Sequence, residues 1–246
     1  IQAKILDSVA KNQLTSVRSG HGIGKSALQS WLIIWFLCTR PFPKIPCTAP
    51  TKHQLHDILW AEVAKWLNPI LKTEIEWTQE KLYMKKYPEN WFAVPRTATQ
   101  PDALQGFHAE HILYIIDEAS GVKDTTFEPV LGSLTTQDAK LIMCGNPTQL
   151  SGFFFDSHNK NRAMYNTFKV SGENSKRVSR EYIKMIIDMY GLDSDVYRVR
   201  VGGDFPKAMP DSFVPLEWVE NCSVKAPSRT HPMHRIDIGV DVARYG

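Results

Sequence analysis

The segment Arg18-Ser19-Gly20-His21-Gly22-Ile23-Gly24-Lys25-Ser26 limits the fold more than any other feature of the chain. Before it, residues 14–17 read as a strand; after it, residues 25–37 read as a buried helix. A glycine-rich turn from strand to helix aims backbone N–H groups and the positive end of the helix dipole at one spot, and phosphate binds such a spot. Gly20, Gly22 and Gly24 are expected to line it. Lys25 is placed to reach the β- and γ-phosphates of ATP, and the Ser26 hydroxyl to ligate Mg²⁺. The usual phosphate-loop pattern has glycine where this chain has Ser19, so Gly20 and Gly22 are expected to supply the bend.

A second motif decides between chemistry and a plain turn. Residues 112–116 are all apolar and end in Asp117-Glu118. An apolar run of that kind reads as a strand buried on both faces, and in a parallel sheet its C-terminal end faces the ligand crevice. Asp117 is expected to hold the Mg²⁺ shell and Glu118 to polarise the attacking water as general base. Residues 141–144 repeat the pattern and lead to Gly145-Asn146-Pro147. Asn146 either touches the γ-phosphate or the lytic water, or merely opens an Asn-Pro turn.

Strands and helices alternate through about residue 150, which argues for an α/β fold with a mainly parallel sheet and helices on both faces. Further strands are expected at 45–49 (with Pro46 inside), 74–77, 81–84 and 91–95, the last three as a meander. Residues 51–67 and 127–131 are expected to be helical. Beyond residue 165 the pattern changes to two helices, at 179–190 and 194–201, then a proline-punctuated connection and a new strand at 235–240. This divides the chain into an ATPase core at 1–164, a lid or linker at 165–230 and the start of a further domain at 231–246.

Composition adds exclusions. The chain has 246 residues, 43% of them hydrophobic, and a formal charge of only +3, so bulk charge does not announce a nucleic-acid partner. Cys38, Cys47 and Cys144 sit in or beside apolar runs and are expected in the core, with no C-x-x-C pair and a reducing compartment. The longest apolar run, residues 31–38, is too short to span a bilayer. The pairs His53/His56, His108/His111 and His231/His234 have helical spacing, but no third metal ligand can be assigned. Trp31, Trp35, Trp60 and Trp66 are expected in the core. The chain opens on Ile1 without Met and closes at Gly246 inside a motif, so it reads as a piece of a longer protein.

With these strand ends in place, the chain resembles the large subunit of tailed-bacteriophage terminases, the DNA-packaging motor. The resemblance extends through Thr48-Ala49-Pro50-Thr51-Lys52-His53-Gln54, Gln105-Gly106-Phe107-His108, residues 197–206 (YRVRVGGDFP) and residues 239–246 (GVDVARYG). It implies a P-loop NTPase of the ASCE, RecA-like type, a small lid, and the first strand of an RNase H-like nuclease. Asp241 matches that nuclease's first metal carboxylate, for Mg²⁺ or Mn²⁺. Gln2 matches an adenine-contacting glutamine, and Arg18 an arginine that stabilises transition-state charge, with Arg96 and Arg162 as alternatives. The implied partners are double-stranded DNA, a portal protein, a small terminase subunit and further copies in a ring on the procapsid. The implied place is the bacterial host cytoplasm, outside the mature virion, with no membrane. A helicase lobe and a nucleotide-gated switch with little turnover are the rival readings.

Seven Lys/Arg between 158 and 184 (160, 162, 169, 176, 177, 180, 184) face only Glu173 and Glu181, a local charge of +5. They are expected either to track a DNA backbone or to form a solvated face.

Overall fold

A computed structural model describes residues 1–98, 101–208 and 221–222. An eight-stranded sheet forms the frame, in the order β3-β4-β5-β2-β6-β7-β1-β8. The strands are β1 (Leu14–Ser19), β2 (Lys44–Thr48), β3 (Ile75–Trp77), β4 (Leu82–Met84), β5 (Phe92–Pro95), β6 (His111–Ile116), β7 (Asp138–Gly145) and β8 (Asn166–Val170). Six of them run parallel, from β5 across to β8; β4 is antiparallel to β5 and to β3. β7 therefore lies between the strand that feeds the glycine loop and the strand that ends in Asp117-Glu118.

Both faces of the sheet are covered. On β6, Leu113 and Ile115 enter one core while Ile112, Tyr114 and Ile116 enter the other. Ile142 and Cys144 alternate with Leu141 and Met143 on β7 in the same way. The first core takes α1 (Gln2–Lys11), α2 (Lys25–Thr39), the π-helical segment Gln54–Trp60 and α3 (Ala61–Trp66), through Ile5, Leu32, Phe36, Leu59 and Val63. A short helix, α4 (Leu71–Glu74), leads into β3. The second core takes α5 (Phe127–Ser133) and α6 (Phe153–His158), through Phe127, Val130 and Phe154. This two-period alternation with both sides buried explains why these strands have almost no polar residues.

Pro46 lies in an interior strand. The β2–β6 register skips from Lys44 to Cys47, so the missing proline N–H falls where that ladder is interrupted. β8 is an edge strand of the same sheet, paired with β1. The core sheet thus continues to Val170, past the boundary expected at 164. Beyond it, α7 (Arg180–Tyr190) and α8 (Asp195–Tyr197), capped by the Ser179 and Ser194 side chains, and the π-helical turn Arg198–Gly202 share a separate small cluster of Ile183, Ile186, Tyr197 and Val201. The expected strand at 235–240 and the domain at 231–246 lie outside the described residues, as do His231 and His234.

Two core expectations fail. Cys38 is exposed, while Cys47 and Cys144 are buried. Trp66 is 43% exposed and stands edge-on to Trp31. Both sit where an apolar helix surface turns to solvent. No cluster of three potential metal ligands occurs among the described residues, and no helix among them is long and apolar enough to cross a membrane.

Behind β1, Ser16 Oγ lies 2.8 Å from Ser157 Oγ and 3.0 Å from His158 Nε2. Burial, with Arg18 and Arg162 nearby, pushes the His158 imidazole down to about 3. The folded protein holds this ring neutral where the unfolded chain, titrating near 6.5, takes a proton. Stability is therefore full above the unfolded value and falls as pH drops from about 6.5 toward 3. We expect His158→Gln to remove a substantial part of the acid loss of stability over that window, measured by urea unfolding at pH 4, 5 and 7; a parallel pH profile would contradict the assignment.

Candidate functional site

β1 delivers the chain into the loop, and α2 leaves it. Gly24 caps α2 with φ 88°, a left-handed conformation open to glycine. A Cβ there would also stand 2.9 Å from Gln2 Nε2. Gly22, Gly24, Lys25 and Ser26 line a cavity of about 380 Å³, together with His21, Glu118, Asn146, Glu62 and Arg177. Gly20 does not line it. The Gly20 N–H donates to the Val170 carbonyl at 3.0 Å and the His21 N–H to the Arg200 carbonyl at 2.8 Å, so the bend begins at Gly22.

Three strand ends converge on Lys25. Its ammonium, only 9% exposed, donates to Asn146 Oδ1 at 3.1 Å and lies 3.5 Å from Glu118 Oε1. Asn146 in turn donates from Nδ2 to the Ser19 carbonyl at 2.6 Å and from its backbone N–H to Glu118 Oε2 at 3.3 Å. Asn146 therefore ties the loop to the end of β6 and is more than an Asn-Pro turn. Glu118 holds φ 46° and ψ 47°, a left-handed conformation that costs a non-glycine residue about 1–2 kcal/mol. Turning the backbone there brings the Glu118 side chain to the cavity wall.

Asp117 is buried behind that wall. Its Oδ1 accepts from Gln29 Nε2 at 3.0 Å. Burial, together with the Glu118 charge, raises its carboxyl to about 6, against the opposing pull of Lys25. Gln29 Oε1 and Thr48 Oγ1 are buried without a hydrogen-bond partner. A strongly desolvated carboxylate beside orphaned hard oxygens fits a divalent cation with oxygen ligands. Ser26 lies one helical turn before Gln29 on the same face of α2.

Gln2 sits against the loop, its Nε2 at 3.4 Å from the Ile23 carbonyl and 3.5 Å from that of Gly24. It lines a neighbouring cavity of about 420 Å³ with Ile23, Lys176 and Arg177, the first and last of which also line the phosphate-loop cavity.

Arg18 is placed differently from its expected role. Its Nη1 donates to Asp204 Oδ1 at 2.7 Å and to the Gly203 carbonyl at 2.9 Å, and its guanidinium faces the Phe205 ring. Lys169 also pairs with Asp204, and the two cations pull the Asp204 carboxyl below its ordinary range against its burial. Gly203, at φ 67°, lies so close that a Cβ would be 2.8 Å from Ser19 Cα. Arg18 is thus a clamp between β1 and the segment after α8, and does not line the cavity. Arg177 does line it. In the sequence Arg177 belongs to a basic run expected either to track DNA or to form a solvated face, because nothing local in an Arg after Lys176 reveals packing against a loop so distant in the chain. Arg96 and Arg162 do not line the cavity either, and Asp241 lies outside the described residues.

No protein-family model matches the chain. It is 29% identical over 239 residues to a "probable terminase, large subunit" of Enterobacteria phage P7, covering 90% of this chain and 48% of that one. The chain thus spans about half the length of the curated relative it matches. Among solved structures, the large terminase of a thermophilic bacteriophage superposes with a TM-score of 0.67 at 14% identity, over 84% of this chain and 53% of that one. The same neighbour is also known in complex with ADP, at a TM-score of 0.64. The large terminase ATPase domain of Thermus phage P74-26 superposes with a TM-score of 0.62 at 15% identity, over 82% of this chain and 92% of that domain. The fold is that of large-terminase ATPase domains, and the resemblance read in the sequence is also found by these comparisons.

Proposed function

We propose that the chain is the ATP-hydrolysing motor part of a viral terminase large subunit, which drives double-stranded DNA into a procapsid. The observation that carries this reading is the meeting of Lys25, Glu118 and Asn146 within hydrogen-bonding or ion-pairing distance at the mouth of a glycine loop. Backbone N–H groups from Gly22 to Ser26 cradle the β- and γ-phosphates, and Lys25 neutralises them. Glu118 accepts the proton of a water aligned with the γ-phosphorus, and Asn146 senses whether the γ-phosphate is present. Ser26 and Asp117 would hold Mg²⁺, which supplies charge neutralisation on the phosphate oxygens. The nucleoside lies in the cavity beside Gln2. Arg177, on the shared wall, supplies the second positive charge that Arg18 is too far committed to give.

The rest of the proposal rests on the resemblance read in the sequence. Full-length protein carries a nuclease built around Asp241, and copies act as a ring with portal protein and small subunit in the host cytoplasm.

Steady-state phosphate release tests the reading. We expect it to vanish in EDTA, to return with Mg²⁺, and to rise when duplex DNA is added. Turnover that survives EDTA would contradict the roles of Ser26 and Asp117, and turnover indifferent to DNA would favour a nucleotide switch over a motor.

A further inference from the structure

A second cavity, of about 630 Å³, shares no lining residue with the phosphate-loop cavity. Lys52 and His56 come to its wall from the segment after β2, Lys81 from the β3–β4 hairpin and Arg96 from the end of β5. Among the described residues, Glu80 is its single acidic lining residue. Among the described residues, none of the three permanent cations makes an ion pair. The Arg96 guanidinium donates to the carbonyl of Pro95 at 3.2 Å, and Lys81 lies over the Phe92 ring at 4.4 Å.

Four of the seven basic residues at 158–184 are engaged elsewhere. Lys160 pairs with Asp156, Lys169 with Asp204, and Lys176 and Arg177 line the nucleotide cavities. β5 and β1 are parallel strands separated by β2, β6 and β7. The second cavity therefore opens at the same end of the sheet as the phosphate loop, displaced by four strand spacings, about 19 Å.

We propose that this cavity is a backbone-phosphate site for duplex DNA, with Lys52, Lys81 and Arg96 as the contacts. This rests on the motor reading above. A terminal phosphate is gripped by converging backbone N–H groups, as at Gly22–Lys25, but no glycine lines this cavity. It offers instead unpaired side-chain cations from three separate elements, beside the aromatic walls of Phe92 and Phe107. That arrangement holds a chain of phosphodiesters without reading bases, which is what a translocating motor needs.

The test is duplex binding by fluorescence anisotropy at several salt concentrations, for the whole chain and for Lys52→Ala/Lys81→Ala. Losing two phosphate contacts lowers the slope of log affinity against log salt by about 1.8. We expect that change, at least tenfold weaker binding near 0.1 M salt, and unchanged basal ATP turnover. An unchanged slope and affinity would overturn the site, as would absence of salt-dependent DNA binding by the wild type. Displacement of DNA by ATP in the Lys25→Ala background would also overturn it, because a free nucleotide would then be the occupant. Basal turnover in the same samples reports the phosphate loop separately. Intact turnover with unaltered DNA binding removes only the cavity, whereas absent wild-type turnover removes the motor.

Discussion

Lys25→Ala is expected to weaken ATP binding by about 100-fold. A charge-assisted hydrogen bond contributes about 1.5–3 kcal/mol, and Lys25 faces two phosphates. It is the only Lys or Arg within the glycine loop and α2's first turn, and it is almost fully enclosed. Truncation also strands its partners: Asn146 Oδ1 loses a donor, and Glu118 loses the cation at 3.5 Å. Two negative groups, Glu118 and the γ-phosphate, would then face each other without compensation. Titration calorimetry with a non-hydrolysable ATP analogue reads the effect directly. Affinity within threefold of wild type would move the phosphate site away from this loop.

Glu118→Gln is expected to lower turnover by about 10²–10⁴ while leaving ATP affinity within a few-fold, the range a positioned general base supplies. Asp117 is the obvious competitor, since its carboxyl, raised to about 6, is better tuned for a proton at neutral pH. Geometry decides against it. Asp117 is 3% exposed, bonded to Gln29, and absent from the cavity wall, whereas Glu118 lines the cavity. The left-handed backbone at Glu118 is unfavourable for a glutamate, and the turn after β6 keeps it, with the Gly121 N–H donating to the Glu118 carbonyl at 2.9 Å. Glutamine preserves the side chain's size and can still accept from the Asn146 N–H. Basicity is removed together with the charge facing Lys25 while the shape is kept, so a fall in turnover with ATP affinity preserved separates chemistry from binding.

How much of this was legible in the sequence depended on burial. β6 and β7 announce themselves because a strand covered on both faces is mostly apolar, and β1, with Thr15, Ser16, Arg18 and Ser19 in it, because it leads into the glycine loop. β8 does not: of Asn166–Val170 only Val170 is buried, so an edge strand resembled a loop and the expected core boundary fell too early. Cys38 and Trp66 were misplaced for the opposite reason. α2 is apolar nearly all round, so its periodicity does not reveal that Cys38 turns outward, and Trp66 is the last residue of α3, where the helix surface meets solvent. At the site, Lys25, Ser26, Asp117, Glu118 and Asn146 could be proposed from the sequence because each sits at a strand end or in the loop itself. The placements of Arg18 and Arg177 were not legible because their neighbours, Asp204 and the loop, are remote in sequence. Pro46 counted against β2, yet its place at an interrupted rung of the β6 ladder is compatible with an interior strand.

The most direct test of the central claim is steady-state phosphate release from Mg-ATP by the wild-type chain and Glu118→Gln, with ATP binding measured on the same preparations. The account predicts release by the wild type, its loss in the variant, and ATP affinity retained in both. Equal release by the two proteins, or tight ATP binding with no release by either, would contradict it.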